Sequence, residues 1–236
     1  MARVLARVRR PAEGAVLGWN SGPWNGDAGQ PAIDRRVRQR EAFFAAGLAL
    51  FGRDGFALTS VERLCVEAGA TPRDFYREFP DTEGLLIAVH DRITTEAMRA
   101  MSAALAETSP EPLETRIGAA VRAYLGVTAR DPARARVAYV EVLGAGPTME
   151  LHRQAWRERF IDLFTAEVER AVARGEAESR DYRMTAMAVV GTVNELAYQW
   201  ARRADRPPAD QIMGEVVRLI VAALNGRPHQ TRDAGT

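Results

Sequence analysis

The rhythm of apolar positions changes at Asp34. Residues 1–33 are rich in Gly, Pro, Asn and Arg, with Trp19 and Trp24 isolated and no helical or alternating period. From Asp34 a helical period runs almost to the end of the chain. Val37, Phe44, Leu48 and Phe51 mark the stripe of a first helix, which Gly55 stops. Val61, Leu64, Cys65 and Ala68 follow at i, i+3, i+4 and i+7, with Thr59 and Glu62 in front of them as a capping box and Gly69 behind. Thr71-Pro72-Arg73-Asp74 repeats the start signal, with Thr as cap, Pro at the first helical position and Asp at the third. That third helix is short and halts near Pro80. Longer helices are predicted over 82–107, 113–130, 133–145, 148–175, 181–204 and 208–225, punctuated by Pro110, Pro112, Pro132, Pro147 and Pro207-Pro208. No stretch alternates as a strand does, so the fold class is all-α.

Two helices joined by the turn "AGAT" have the outline of a helix-turn-helix. On a helical wheel Phe75 and Phe79 fall together and face the core, while Arg77 lies opposite with Arg73 beside it. Tyr76 sits on one flank, Asp74 and Glu78 on the other. A face of two arginines and a tyrosine suits the major groove, where Arg73 and Arg77 would donate to guanine and Asp74 would accept from cytosine. An ordinary solvated helix would show the same periodicity.

Composition narrows the choice. Of 236 residues, 47% are hydrophobic, enough for a substantial core, and no apolar run reaches membrane-spanning length. The opening "MARVLARVRRP" is basic without the apolar segment of a signal peptide, so a cytoplasmic protein is expected. Formal net charge is only +1, and the cations are arginine without a single lysine, as a GC-rich genome would produce. The one cysteine, Cys65, lies in an apolar stripe as a small core residue. His90, His152 and His229 have no metal spacing, and no Gly-rich phosphate loop or nucleophile elbow is present. No catalytic residue, cofactor or metal is therefore expected.

From the first helix through "FGRDGFALTSVERLCVEAGATPRDFYREFPDTEGLL" the chain resembles the DNA-binding domain of the tetracycline-repressor (TetR) family of transcriptional regulators, over about 50 residues. "DPARARVAYVEVLGAGP" and "VVGTVNELAYQWA" are similar to ligand-domain helices of one branch of it. The resemblance implies a helix-turn-helix domain over 34–83 and a larger effector-binding and dimerisation domain over 84–226, beside disordered tails expected at 1–33, from its composition, and at 227–236. In the first tail Arg3, Arg7, Arg9 and Arg10 leave a basic arm along DNA as the other reading. The family commonly has Ser, Thr or Gly at the place of Asp74, His or Tyr at Glu78, and Lys at Thr82. These departures remove cations, and residues 34–83 carry eight Arg against nine acids. Arg35, Arg36, Arg38 and Arg40 crowd the start of the first helix, and helix N-termini at Thr59, Ser60 and Thr71 offer N–H groups to phosphate. With Pro72, Arg73, Asp74, Tyr76 and Arg77 these form the expected DNA contact set, without Arg40.

The family also implies a homodimer through the last two helices, a double-stranded DNA operator, a small apolar or amphipathic effector, and no membrane partner. In the final helix Ile212, Val216, Leu219, Ile220, Ala223 and Leu224 form the stripe for such pairing. Pocket candidates are His90, Tyr139, Trp156, Phe160 and Tyr198, with Glu141 and Asn194 as polar residues on apolar faces, where a buried polar group needs a partner. Repression is the family's default. The rival expectation is a relative that has lost sequence-specific DNA binding and acts as a helical protein-interaction module.

Overall fold

The computed structural model describes residues 30–225, so the reading of 227–236 as a tail, and that of 1–33 as far as residue 29, lie outside the described residues. Helices run in the order α1 (Gln30–Asp54), a 3₁₀ turn (Phe56–Leu58), α2 (Val61–Ala68), α3 (Pro72–Glu78), α4 (Thr82–Glu107), α5 (Leu113–Ala129) and α6 (Pro132–Arg136). A π-helical turn (Val137–Glu141), α7 (Pro147–Ala173), α8 (Arg183–Arg202) and α9 (Ala209–Asn225) complete them, and no strand occurs among the described residues.

Three local expectations shift. The α1 stripe that is buried runs through Phe43, Ala46, Leu50 and Phe51, while Val37 is 56% exposed. The reason is aromatic: Phe43 meets Phe75 and Phe79 edge-on, at ring-centroid distances of 5.4 and 6.1 Å, and these contacts set which face turns inward. The cap of α2 is Ser60, which accepts from Arg63 N–H at 3.4 Å, and not Thr59. The 3₁₀ turn consumes the residues before it, so the Thr59 hydroxyl instead donates to Gly55 O at 2.8 Å. Finally, the helix expected over 133–145 divides into α6 and the π turn, ending at Gly144 with φ +73. The wider turn places Val137 and Tyr139 inward and carries Glu141 off that face.

The core has two main parts. Phe43, Phe51, Leu64, Phe75, Leu85, Leu86 and Met149 join α1–α3 to α4 and the start of α7. Val168, Val193, Val216 and Ile220 lead the second, among α5, α7, α8 and α9. Each large apolar side chain buried this way contributes about 1.5–3 kcal/mol. Individual close contacts fasten neighbouring elements. The Glu83 carboxylate at the start of α4 accepts from Met149 N–H at 2.9 Å, occupying the space a Cβ would need at Gly146. Gly52 of α1 lies so close to Ala133 of α6 that a Cβ there would overlap it. Arg116, 1% exposed, donates to Glu167 and Glu176, both at 2.8 Å, and to Glu111 O at 2.7 Å.

Candidate nucleic-acid interface and cavity

The turn between α2 and α3 depends on Gly69, which ends α2 in the left-handed conformation at φ 60 with its N–H on the last turn. A residue with a Cβ would cost about 1–2 kcal/mol there. The chain then enters α3 through a reciprocal cap. Thr71 Oγ1 accepts from Asp74 N–H at 3.2 Å, and the Asp74 carboxylate accepts from Thr71 N–H at 3.2 Å and from the Thr71 hydroxyl at 2.7 Å. The Thr71 hydroxyl, then its backbone N–H, hold the Asp74 carboxyl below the usual aspartate range. Asp74 is thus a structural cap.

Phe75 and Phe79 are buried beneath α3, and its outer face presents Arg73, Tyr76 and Arg77, with Pro72 exposed at its start. Arg77 Nη2 donates to Gln39 at 2.6 Å and lies 3.2 Å from Asp74, which fixes the side chain and leaves Nη1 unbonded. Arg73 has no bonded partner among the described residues. Glu78 points away from solvent: its side chain is 1% exposed and accepts from Arg40 Nη1 at 3.1 Å. That arginine stacks over Phe79 at 5.0 Å from the ring centroid. Arg35, Arg36 and Arg38 are exposed on the first turns of α1.

Two expected phosphate donors differ from expectation. The Thr59 N–H bonds Phe56 O at 3.1 Å and its side chain is buried, while the Thr71 N–H is taken by Asp74. Both N–H groups are used to build the turns, and Ser60 remains exposed at the start of α2.

A cavity of about 370 Å³ opens in the second part of the chain, walled by α4, α5, the π turn, α7 and α8. His90, Tyr139, Trp156, Phe160, Asn194 and Tyr198 line it. Glu141 does not: its carboxylate accepts from Phe56 N–H and from Arg136 Nε, each at 2.7 Å. The π turn rotates it out of the wall, so the pocket expectation for Glu141 is corrected. Asn194 Nδ2 donates to Val190 O at 2.9 Å, and Trp156 Nε1 donates to Asp91 at 3.2 Å. His90 Nδ1 lies 3.1 Å from His152 Nε2. Burial first, then His152 and Arg153, push the His90 pKa down to about 3, so the ring is neutral at ordinary pH.

Tyr124 also lines the cavity, as do Arg153 and Arg157, and the two arginines were not anticipated. The signal was present in "HRQAWRERF", where Arg153, Trp156, Arg157 and Phe160 fall at i, i+3, i+4 and i+7 on one face. Among the described residues no group of three His, Cys, Asp or Glu is placed to hold a metal. No helix there is long and apolar enough to cross a membrane.

Comparison with known proteins agrees with this architecture. Residues 43–89 match the family model for bacterial regulatory proteins of the tetR family, and residues 110–224 match that of the tetracycline-repressor-like C-terminal domain. No curated protein sequence matches significantly. The regulator FadR from Bacillus subtilis, solved with stearoyl-CoA, is 16% identical with a TM-score of 0.70, over 78% of this chain and 98% of that one. A putative TetR-family regulator from Syntrophomonas wolfei gives 16% identity and a TM-score of 0.69, over 81% and 98%. A TetR/AcrR-family regulator from Thermobifida fusca gives 21% and 0.60, over 83% and 100%. At these identities the likeness establishes the fold. With both family models matched in order and a helix-turn-helix built as described, the chain belongs to the TetR family of transcriptional regulators.

Proposed function

We propose that this regulator acts in the cytoplasm as a repressor, binding a palindromic operator as a homodimer and leaving it when a small amphipathic effector fills the cavity. The observation that carries this reading is the tie between the two functions. Tyr139 forms cavity wall, and two residues later Glu141 holds the Phe56 N–H at 2.7 Å, directly before the turn that starts α2. A ligand that repacks the π turn acts on the reading head through that bond, so the effector shifts a population between two head spacings. The domain division at 34–83 and 84–226 follows the same logic.

On the DNA side, Arg73 and Arg77 read guanine from the outer face of α3, Tyr76 flanks them, and Arg35, Arg36 and Arg38 meet the backbone. The acids that would oppose DNA are occupied: Asp74 caps α3, and Glu78 is tucked under Arg40. On the dimer side, Met184 and Met187 of α8 are 82% and 55% exposed and Leu219 of α9 is 44% exposed, while the opposite faces of both helices are buried. A second copy covers them in a four-helix bundle. The B. subtilis FadR complex with stearoyl-CoA supports ligand occupancy for this fold. Arg77→Ala tests the reading head. It relaxes the base preference at one position per half-site, losing about 1–3 kcal/mol there. An unchanged binding-site logo overturns the assignment.

A further inference from the structure

Arg153 is held in an unusual way for a mostly buried arginine. Its side chain is 17% exposed, and of five N–H donors only those on Nη1 find a partner, Glu150 at 2.6 Å. Arg157 reaches the other oxygen of the same carboxylate at 3.3 Å. Two guanidinium groups lining the cavity therefore share one carboxylate, and Glu195, which bonds Gln199 on the exposed side of α8, is the one acid among the lining residues. This wall carries an excess of positive charge and unused donors. Burial first, then Arg157, hold the Arg153 pKa below the ordinary arginine range, as expected of an incompletely neutralised cation.

The opposite character lies beyond Tyr124 and Phe160. Their rings meet edge-on at 5.6 Å between centroids, and both line a second, almost wholly apolar void of about 60 Å³ walled by α4, α5, α7, α8 and α9. The aromatic pair separates the two spaces. The Tyr124 hydroxyl makes no hydrogen bond to the protein, yet no fully buried side-chain polar atom among the described residues lacks a partner. It is therefore reached from a void, where it offers a ligand one further polar contact.

We propose that the effector is a medium-chain aliphatic carboxylate, its head bridging Arg153 and Arg157 and its chain running past Tyr124 and Phe160 toward the apolar void. This names the ligand class of the effector cavity and rests on that reading of it. A carboxylate matches the guanidinium fork in two parallel bonds and supplies the charge that Glu150 alone does not. Size sets the chain. At about 30 Å³ for a group as large as a water or a methylene, the main cavity holds roughly a dozen such groups, the size of decanoate. It does not enclose a coenzyme-A thioester.

The test is calorimetric titration of the full-length protein with octanoate, decanoate and tetradecanoate, beside 1-decanol, methyl decanoate and decanoyl-CoA. Decanoate is expected to bind at least about tenfold more tightly than 1-decanol or methyl decanoate, the worth of a charge-assisted hydrogen bond. Arg153→Met removes that preference, and Arg153→Lys restores part of it. Phe160→Leu thins the partition and shifts the preferred chain from decanoate toward tetradecanoate. The proposal is overturned if the alcohol or ester binds as well as the acid, if decanoyl-CoA binds better, or if no carboxylate binds a protein that still recognises its operator. Failure to select any DNA motif would instead strike the regulator reading, and that experiment requires no ligand.

Discussion

Acidic side chains decide how α3 can be used, and each has a specific neighbour. Asp74 is bound into the Thr71 cap, Glu78 into Arg40, and Asp81 caps α4 by accepting from Gly84 N–H at 2.7 Å. The local charge balance of the reading head is therefore set by which charges are already paired, more than by their number. The same bookkeeping applies at Arg116, which holds the buried Glu167 and the partly exposed Glu176. Arg116→Met leaves Glu167 without its main buried partner and is expected to destabilise the protein by about 3–5 kcal/mol in denaturant unfolding. A loss below about 1 kcal/mol would mean the cluster is solvent-screened. His90 sets a pH dependence. Its folded pKa of about 3 lies below the ordinary value of 6.5, so the unfolded chain takes up that proton first as pH falls. The stabilisation is fully present above pH 6.5 and drains toward pH 3, at up to about 1.4 kcal/mol per pH unit for one proton. His90→Gln should give a shallower stability curve across the upper part of that window. Parallel curves would contradict the assignment.

At the scale of elements, legibility followed the strength of the local signal. The start of α3 was plain because Thr71, Pro72 and Asp74 act through the backbone within three residues, while the Asp81 cap of α4 emerged only with the structure. Phe75 inward and Arg77 outward followed from the wheel alone. What the periodicity could not contain was the π turn, since an extra residue in one turn leaves no compositional mark and reverses which side chains meet the cavity. Glu141 was misplaced for that reason, and Arg153 and Arg157 were missed because pocket candidates were sought among aromatic, histidine and isolated polar residues rather than arginines. The Thr59 cap was displaced by one residue because a 3₁₀ turn preceding α2 has no period of its own. The π turn also makes a prediction. Glu141→Ala breaks the bond to the Phe56 N–H and frees Arg136, far from α3. Operator affinity measured by fluorescence anisotropy should then become nearly independent of any ligand that saturates the cavity, while ligand binding itself persists. Equal ligand response in the variant would show that coupling runs elsewhere.

At the scale of the whole molecule, the described residues bring together an outward helix with paired acids, a cavity lined by Tyr139 of a π turn whose Glu141 bonds the 3₁₀ turn before α2, and two C-terminal helices with methionines and a leucine facing out. The homodimer we propose would read two half-sites whose centres lie about one helical turn apart, or a multiple of it. The most direct measurement is selection of bound fragments from genomic DNA by the full-length protein at low salt. The account predicts an enriched palindromic motif with G·C pairs in each half-site, recovered by the dimer and weakened steeply as salt rises. Absence of any enriched motif at low salt would contradict it, and would make this chain a TetR-family fold that serves as a protein-interaction module.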